Sequence, residues 1–224
     1  MSISENIKKY KAVLKDVILV AISKTKPASD LMEAYNAGQR IFGENKIQEM
    51  TEKWEVLPKD IEWHMVGHVQ RNKVKYMAPY VGLIHAIDSL KLLKEIDKEA
   101  KKNNRVITCL LQIKIADEDS KFGISAEEAE AILKSEKLAE MENVKVTGLM
   151  GMATFTEDED QVKKEFQYLK SVFDGLQKKF KNLEILSMGM SGDYKIAVES
   201  GSTMVRIGSA IFGEREAPQP PKGE

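Results

Sequence analysis

VILVAISKTKP, residues 17–27, decides how the rest of the chain is read. Its first six residues are apolar and mostly β-branched, the composition of a strand covered on both faces. Ser23, Lys24, Thr25, Lys26 and Pro27 follow directly. Strand side chains alternate sides at every residue, so Ile18, Val20, Ile22 and Lys24 share one face and Leu19, Ala21 and Ser23 the other. Lys24 therefore projects on the side of three bulky apolar residues, at the point where the strand gives way to a loop.

The same kind of run recurs along the chain. Strand-like segments are expected at 40–43, 62–66, 82–87, 106–115, 144–150, 183–186 and 203–207. Helical segments are expected between them at 31–37, 46–54, 70–76, 90–101, 126–133, 159–180 and 194–199, with a short closing segment at 209–212. Ser29 and Asp30 read as the cap of the 31–37 helix, and Gly38 as its stop. Phe166, Leu169 and Phe173 fall at core spacing on the long helix. Strands alternating with helices imply a parallel sheet with right-handed crossovers. A count of eight points to a single (β/α)8 TIM barrel over residues 1–213, with an open doubly wound sheet as the competing arrangement. Residues 214–224, EREAPQPPKGE, carry three prolines and read as a flexible C-terminal tail.

Composition narrows the function classes. The 224 residues carry 34 basic and 35 acidic side chains, a net charge of -1, which gives no bulk attraction for nucleic acid. The single cysteine, Cys109, lies in an apolar run, so an intrachain disulfide framework is excluded and a reducing compartment is expected. Residues 1–10 contain no apolar leader, and the run at 17–22 is too short to span a bilayer. The expectation is a cytoplasmic protein with no nucleic-acid or membrane partner. His64 and His68 stand in H-M-V-G-H rather than H-E-x-x-H, so no metal site is expected there. His85 reads as a packed or hydrogen-bonded strand-end histidine.

In a barrel, chemistry sits where strands run into their following loops. A lysine desolvated there has a lowered pKa and can attack a carbonyl; the bland reading is a solvated lysine after a strand. Lys26, beside Pro27, is expected outside the pocket. At the far end of the chain, MGMSGD (188–193) and VRIGSAIFG (205–213) supply small residues with accessible N–H groups after the seventh and eighth strands. That is where barrels often bind phosphate, although plain turn chemistry would look similar. Arg206 lies inside an apolar strand and needs a partner there, either a ring nitrogen or a structural salt bridge. A lysine and a phosphate cup across one mouth describe a site for a phosphorylated aldehyde.

AISKTKP, AGQRIFGENKIQE, WHMVGHVQRNKVKY, HAIDS, SKFGIS, GLMGMA and LSMGMSGDYKIAVESGSTMVRIGSAIFG occur in this order between residues 17 and 213. Together they resemble the pyridoxal phosphate homeostasis (YggS/PROSC-like) protein family, whose barrel is like the N-terminal domain of alanine racemase. The resemblance implies pyridoxal 5'-phosphate (PLP) as cofactor, with Lys24 as the Schiff-base lysine and Arg206 facing the pyridine nitrogen. It also implies Ser191, Gly208 and Ser209 at the phosphate and Asn45 near the ring. Lys26 and Lys121 match further family lysines without a settled role. The segment before AISKTKP is short, so a truncated N-terminal helix is expected.

PLP enzymes use the ring as an electron sink, often with a protonated pyridine nitrogen. An arginine there is permanently cationic and disfavours ring protonation. Two-base racemisation also needs a second base, which alanine racemases take from a separate β-domain; too few residues follow 213 for one. The expectation is a PLP carrier or buffer, with no catalytic residue assigned, serving PLP-dependent apoenzymes and present as a monomer. The alternatives are a PLP-dependent amino-acid racemase-like enzyme, a Schiff-base aldolase acting on a sugar phosphate, and an interaction module.

Overall fold

The computed structural model describes residues 1–117 and 122–214. Lys121 and residues 215–224 of the expected tail lie outside them. The chain opens with helix α1 (Ile3–Leu14). Ser2 Oγ accepts from Glu5 N–H at 3.2 Å while Ser2 N–H donates to the Glu5 carboxylate at 2.8 Å, a reciprocal cap. Twelve residues form this helix, because the S-x-x-E cap satisfies the first turn and Ile7, Tyr10 and Leu14 bury one face.

Then strand and helix alternate. β1 (Ile18–Ile22), α2 (Ala28–Asn36), β2 (Ile41–Glu44), α3 (Ile47–Val56) and β3 (Glu62–Met65) come first. A 3₁₀ turn at Arg71–Lys73 and a short α4 (Val74–Met77) replace the single helix expected at 70–76. β4 (Val81–Ile87), α5 (Leu90–Lys102), β5 (Ile107–Gln112), α6 (Ala126–Leu133), a short α7 (Glu136–Ala139) and β6 (Val144–Met150) follow. The chain continues with α8 (Glu159–Lys179), β7 (Ile185–Ser187), α9 (Tyr194–Glu199), β8 (Met204–Ile207) and α10 (Ser209–Phe212). α2 starts earlier than the sequence pattern indicates: Pro27 is its N-cap and no side chain caps it, so Ser29 and Asp30 lie within its first turn. Proline's fixed φ of -69° already suits that entry.

The eight strands pair in parallel in sequence order, and β8 closes on β1, with Val20 opposite Arg206. The open sheet is thereby excluded. Two apolar layers result. The larger lies between barrel and helices and holds Leu19 and Ala21 from β1 with Phe166, Leu169 and Phe173 from α8. Burying each such aliphatic or aromatic side chain contributes about 1.5–3 kcal/mol. The smaller layer fills the barrel interior with Val20, Leu83, Leu110, Met150 and Met204, and Ile22 packs against it. The two faces of β1 therefore divide as their alternation requires.

β6 and β7 approach unusually closely at Gly148. A Cβ there would lie 1.8 Å from the Ile185 carbonyl oxygen, so nothing larger than hydrogen fits without parting the strands. Gly148→Ala is expected to lower unfolding free energy by about 3 kcal/mol, the upper range for overpacking, measured by urea denaturation. A loss of a few tenths of a kcal/mol would show that the pair separates at little cost.

Candidate functional site

The loops at the C-terminal ends of the strands enclose a cavity of about 640 Å³. Lys24 enters it from the end of β1, half-buried, on the same side as Ile22. Asn45 lines it after β2, Arg206 from within β8, and Ser191, Gly208 and Ser209 from the two last βα loops. Six residues assigned from sequence thus meet at one mouth. Lys26 meets them as well, against the expectation that it lies outside; its ammonium donates to the Glu214 carbonyl at 2.9 Å. A tight turn explains this: Lys26 N–H donates to the Ser23 carbonyl at 3.0 Å, which folds both lysines toward the opening.

Gly67, after β3, lets the backbone close over Asn45, since a Cβ there would sit 2.4 Å from the Asn45 carbonyl oxygen. At the opposite wall Ser191 Oγ accepts from Gly208 N–H at 3.2 Å and from Ala210 N–H at 3.5 Å. A hydroxyl and converging amides at a loop make a concavity suited to an anion.

Arg206 is buried, at 4% exposure. Its guanidinium donates to the Ser187 carbonyl at 2.9 Å, Ser187 Oγ at 2.6 Å and the Gly151 carbonyl at 3.0 Å. All three acceptors are neutral oxygens, so these bonds are not the structural salt bridge that sequence reading left open. Three of five guanidinium donors are used in this way, which leaves two for a ligand. Burial pulls its pKa down to about 10, and Asp193 pulls the other way. It remains protonated at neutral pH.

Behind Arg206 runs a polar chain that sequence reading did not assemble. Ser187 Oγ lies 3.0 Å from His85 Nδ1, His85 Nε2 lies 3.0 Å from His64 Nδ1, and His64 Nε2 lies 2.9 Å from Glu62 Oε1. Where both imidazoles are neutral, the carboxylate at one end fixes the direction of every bond. His64 holds the Glu62 carboxyl below the usual range, so that group is ionised and only accepts. His64 Nε2–H then donates to it, His85 Nε2–H donates to His64 Nδ1, and the Ser187 hydroxyl donates to His85 Nδ1. The lone pairs of Ser187 are left for Arg206. Every donor thus points away from the cation and toward a carboxylate at the opposite end of the barrel. The available signal was parity: Glu62 and His64 share the inner face of β3, and His85 sits inside an apolar strand.

His68 is not joined to His64. It lies at the mouth, with its ring stacked on Phe122 at 5.0 Å and its Nδ1 3.8 Å from Asp88. Phe122 and Phe155, both largely exposed, border the opening. No helix among the described residues is long and apolar enough to cross a membrane.

A family model described as "Alanine racemase, N-terminal domain" matches residues 1–216, and the chain belongs to that family. A pyridoxal phosphate homeostasis protein of Aquifex aeolicus is 42% identical over 200 residues, covering 88% of this chain and 87% of the relative. The protein of the same name from Escherichia coli K12 is 36% identical over 209 residues, covering 90% of this chain and 87% of its own length. PipY of Synechococcus elongatus, solved with PLP bound, is 32% identical with a TM-score of 0.86, covering 95% of this chain and 100% of PipY. These relatives place the chain among the pyridoxal phosphate homeostasis proteins. An alanine racemase from Bartonella henselae shares the fold at 16% identity and a TM-score of 0.72, with this chain covering 61% of it.

The buried histidine gives the site a measurable signature. Burial, with His64 and Arg206 nearby, pushes His85 well below the usual histidine range. In the unfolded chain its pKa is about 6.5. Below that pH the unfolded state binds a proton that the folded state refuses, so stability falls with acidification by up to about 1.4 kcal/mol per pH unit. The stability gap between wild type and His85→Gln is expected to narrow between pH 7 and 5.5 in urea titrations. A constant gap would show that the imidazole is not held neutral.

Proposed function

We propose that this protein binds pyridoxal 5'-phosphate in the mouth of the barrel and serves intracellular PLP homeostasis as a reversible carrier. The observation that carries the reading is the convergence of Lys24, Arg206 and the Ser191–Gly208 wall on one cavity. The donor set fits the cofactor: an amine for its aldehyde, two remaining guanidinium donors for a ring nitrogen, and amides with a hydroxyl for its phosphate. The 32% identity to PLP-bound PipY over nearly the whole chain supports the same cofactor.

When bound, PLP supplies an electron sink for charge developing on an attached amino group's carbon. Each protein group has a distinct task. Lys24 would hold the aldehyde covalently and reversibly. Ser191 and the N–H groups of Gly208 and Ser209 would hold the phosphate, and Asn45 would border the ring. Arg206 keeps its proton at neutral pH. It would therefore donate to the ring nitrogen rather than see it protonated, which weakens the sink. Among the described residues no tyrosine lines the cavity to act as a second base. The names of the relatives describe homeostasis proteins. These observations favour holding and delivering PLP, with PLP-dependent apoenzymes as recipients, over turnover.

Purified wild type incubated with PLP is expected to be yellow, to bleach with borohydride and to retain a pyridoxyl group on Lys24. Lys24→Ala is expected to lose at least about tenfold in PLP retention, about 1.4 kcal/mol, read by equilibrium dialysis. A colourless wild type that takes up no PLP would sink the cofactor. A sustained Lys24-dependent racemase or lyase turnover would instead overturn the carrier role.

A further inference from the structure

Lys24 and Lys26 are two residues apart, and both reach the cavity. Thr25 between them has φ of 65°. A β-branched residue rarely adopts that left-handed conformation, and the third position of such a turn is normally glycine. Strand alternation stops at Ser23, so it cannot by itself dictate which amine points at a ligand. Something must hold this turn in its disfavoured shape.

That something lies on the outer face of the barrel, behind the turn. Glu44 ends β2 and is fully buried; Lys53, on α3, is 7% exposed. Lys53 Nζ donates to Glu44 Oε1 at 2.7 Å, to Glu49 Oε1 at 2.8 Å and to the Ser23 carbonyl at 2.7 Å. Ser23 Oγ–H donates to Glu44 Oε1 at 2.6 Å, and Thr25 N–H donates to Glu49 Oε1 at 2.5 Å. The residues before and after Lys24 are thus both tied to one charged cluster, and Lys24 projects from the opposite side. Burial pushes the Glu44 carboxyl above the usual range, and Lys53 opposes that. Glu44 Oε2 is buried with no hydrogen-bond partner among the described residues. A buried ion pair with an unsatisfied oxygen is a poor device for stability alone.

We propose that Glu44, Glu49 and Lys53 are positioning residues that select Lys24, rather than Lys26, as the amine offered to the cofactor. The selection rests on the PLP reading above. The condensing amine loses two hydrogens and the cofactor's aldehyde its oxygen, released as one water. Borohydride then delivers hydride to the carbon of the resulting C=N bond, and solvent protonates the nitrogen. The lysine that reacted is thereby marked permanently.

The test is to trap PLP with borohydride on full-length protein and map the pyridoxyl label by peptide mass spectrometry. Wild type is expected to carry it on Lys24. Ser23→Ala, Glu49→Gln and Lys53→Met are expected to lower the Lys24-to-Lys26 label ratio about tenfold or more, within the loss that misplacing a reacting group by an ångström produces. Thr51→Ala, on the same helix but outside the cluster, is expected to leave the ratio unchanged. In the protein without PLP, amide hydrogen exchange at Thr25 is expected to quicken in Glu49→Gln. Ser23→Ala removes one hydrogen bond, Glu49→Gln removes the charge from the oxygen that accepts from both Thr25 N–H and Lys53, and each keeps the Lys53–Glu44 pair, so they carry the test if Lys53→Met does not fold. A label that stays on Lys24 in folded Ser23→Ala and Glu49→Gln overturns the selection alone. A wild type that takes no label overturns the PLP reading, and the selection with it.

Discussion

A guanidinium enclosed in a β-barrel is the constraint around which this site is arranged. Arg206 cannot be left without acceptors in so dry a place, yet its hydrogen bonds go to a serine and two carbonyls rather than to a carboxylate. The negative charge is instead displaced to Glu62, at the start of β3 and half in water, through Ser187, His85 and His64. Asp193, on the same cavity, acts on the cation electrostatically, but no carboxylate is among the hydrogen-bond acceptors found for it among the described residues. Two donors remain for whatever occupies the mouth. The apolar interior of Val20, Leu83, Leu110, Met150 and Met204 surrounds this chain and keeps it short and directional.

The barrel wall separates two kinds of work. Inward-facing side chains make the cavity: Ile22, Lys24 and Arg206 belong to that face. Outward-facing ones, Ser23 and Glu44, meet α3 and hold the backbone of the turn from behind. That task explains why polar residues appear in a layer otherwise filled by Leu19, Ala21 and Phe42.

The fold alone would not distinguish a carrier from an enzyme, because the same barrel occurs in an alanine racemase at 16% identity. The distinction rests on the site and on relatives of the same length, such as the 42% identical homeostasis protein of Aquifex aeolicus. An arginine that holds its proton, fixed by three bonds before any ligand arrives, favours binding geometry over electron withdrawal. In the proposed reading, reversible covalent capture at Lys24 would keep a reactive aldehyde off other amines.

Much of this was legible in the residues. The β-branched run before Lys24 and the seven later strands carry the barrel, since period-two alternation and strand length are local properties. Lys24, Arg206 and the glycine- and serine-rich ends of the last two strands could be named because their chemistry is conspicuous in apolar or turn surroundings. What the sequence did not disclose needed distances between elements far apart in the chain. The place of Lys26 depends on a turn closed against the Ser23 carbonyl. The relay joins residues from β3, β4, β7 and β8, and no spacing rule connects them. Lys53 reads as an ordinary helix-surface lysine until α3 lies against β2 and buries it beside Glu44. The sequence by itself determined which residues face the barrel interior, because alternation along a strand is fixed by backbone geometry. Only closure of the eight strands decided which of those residues meet, because hydrogen bonds across a barrel depend on register and shear.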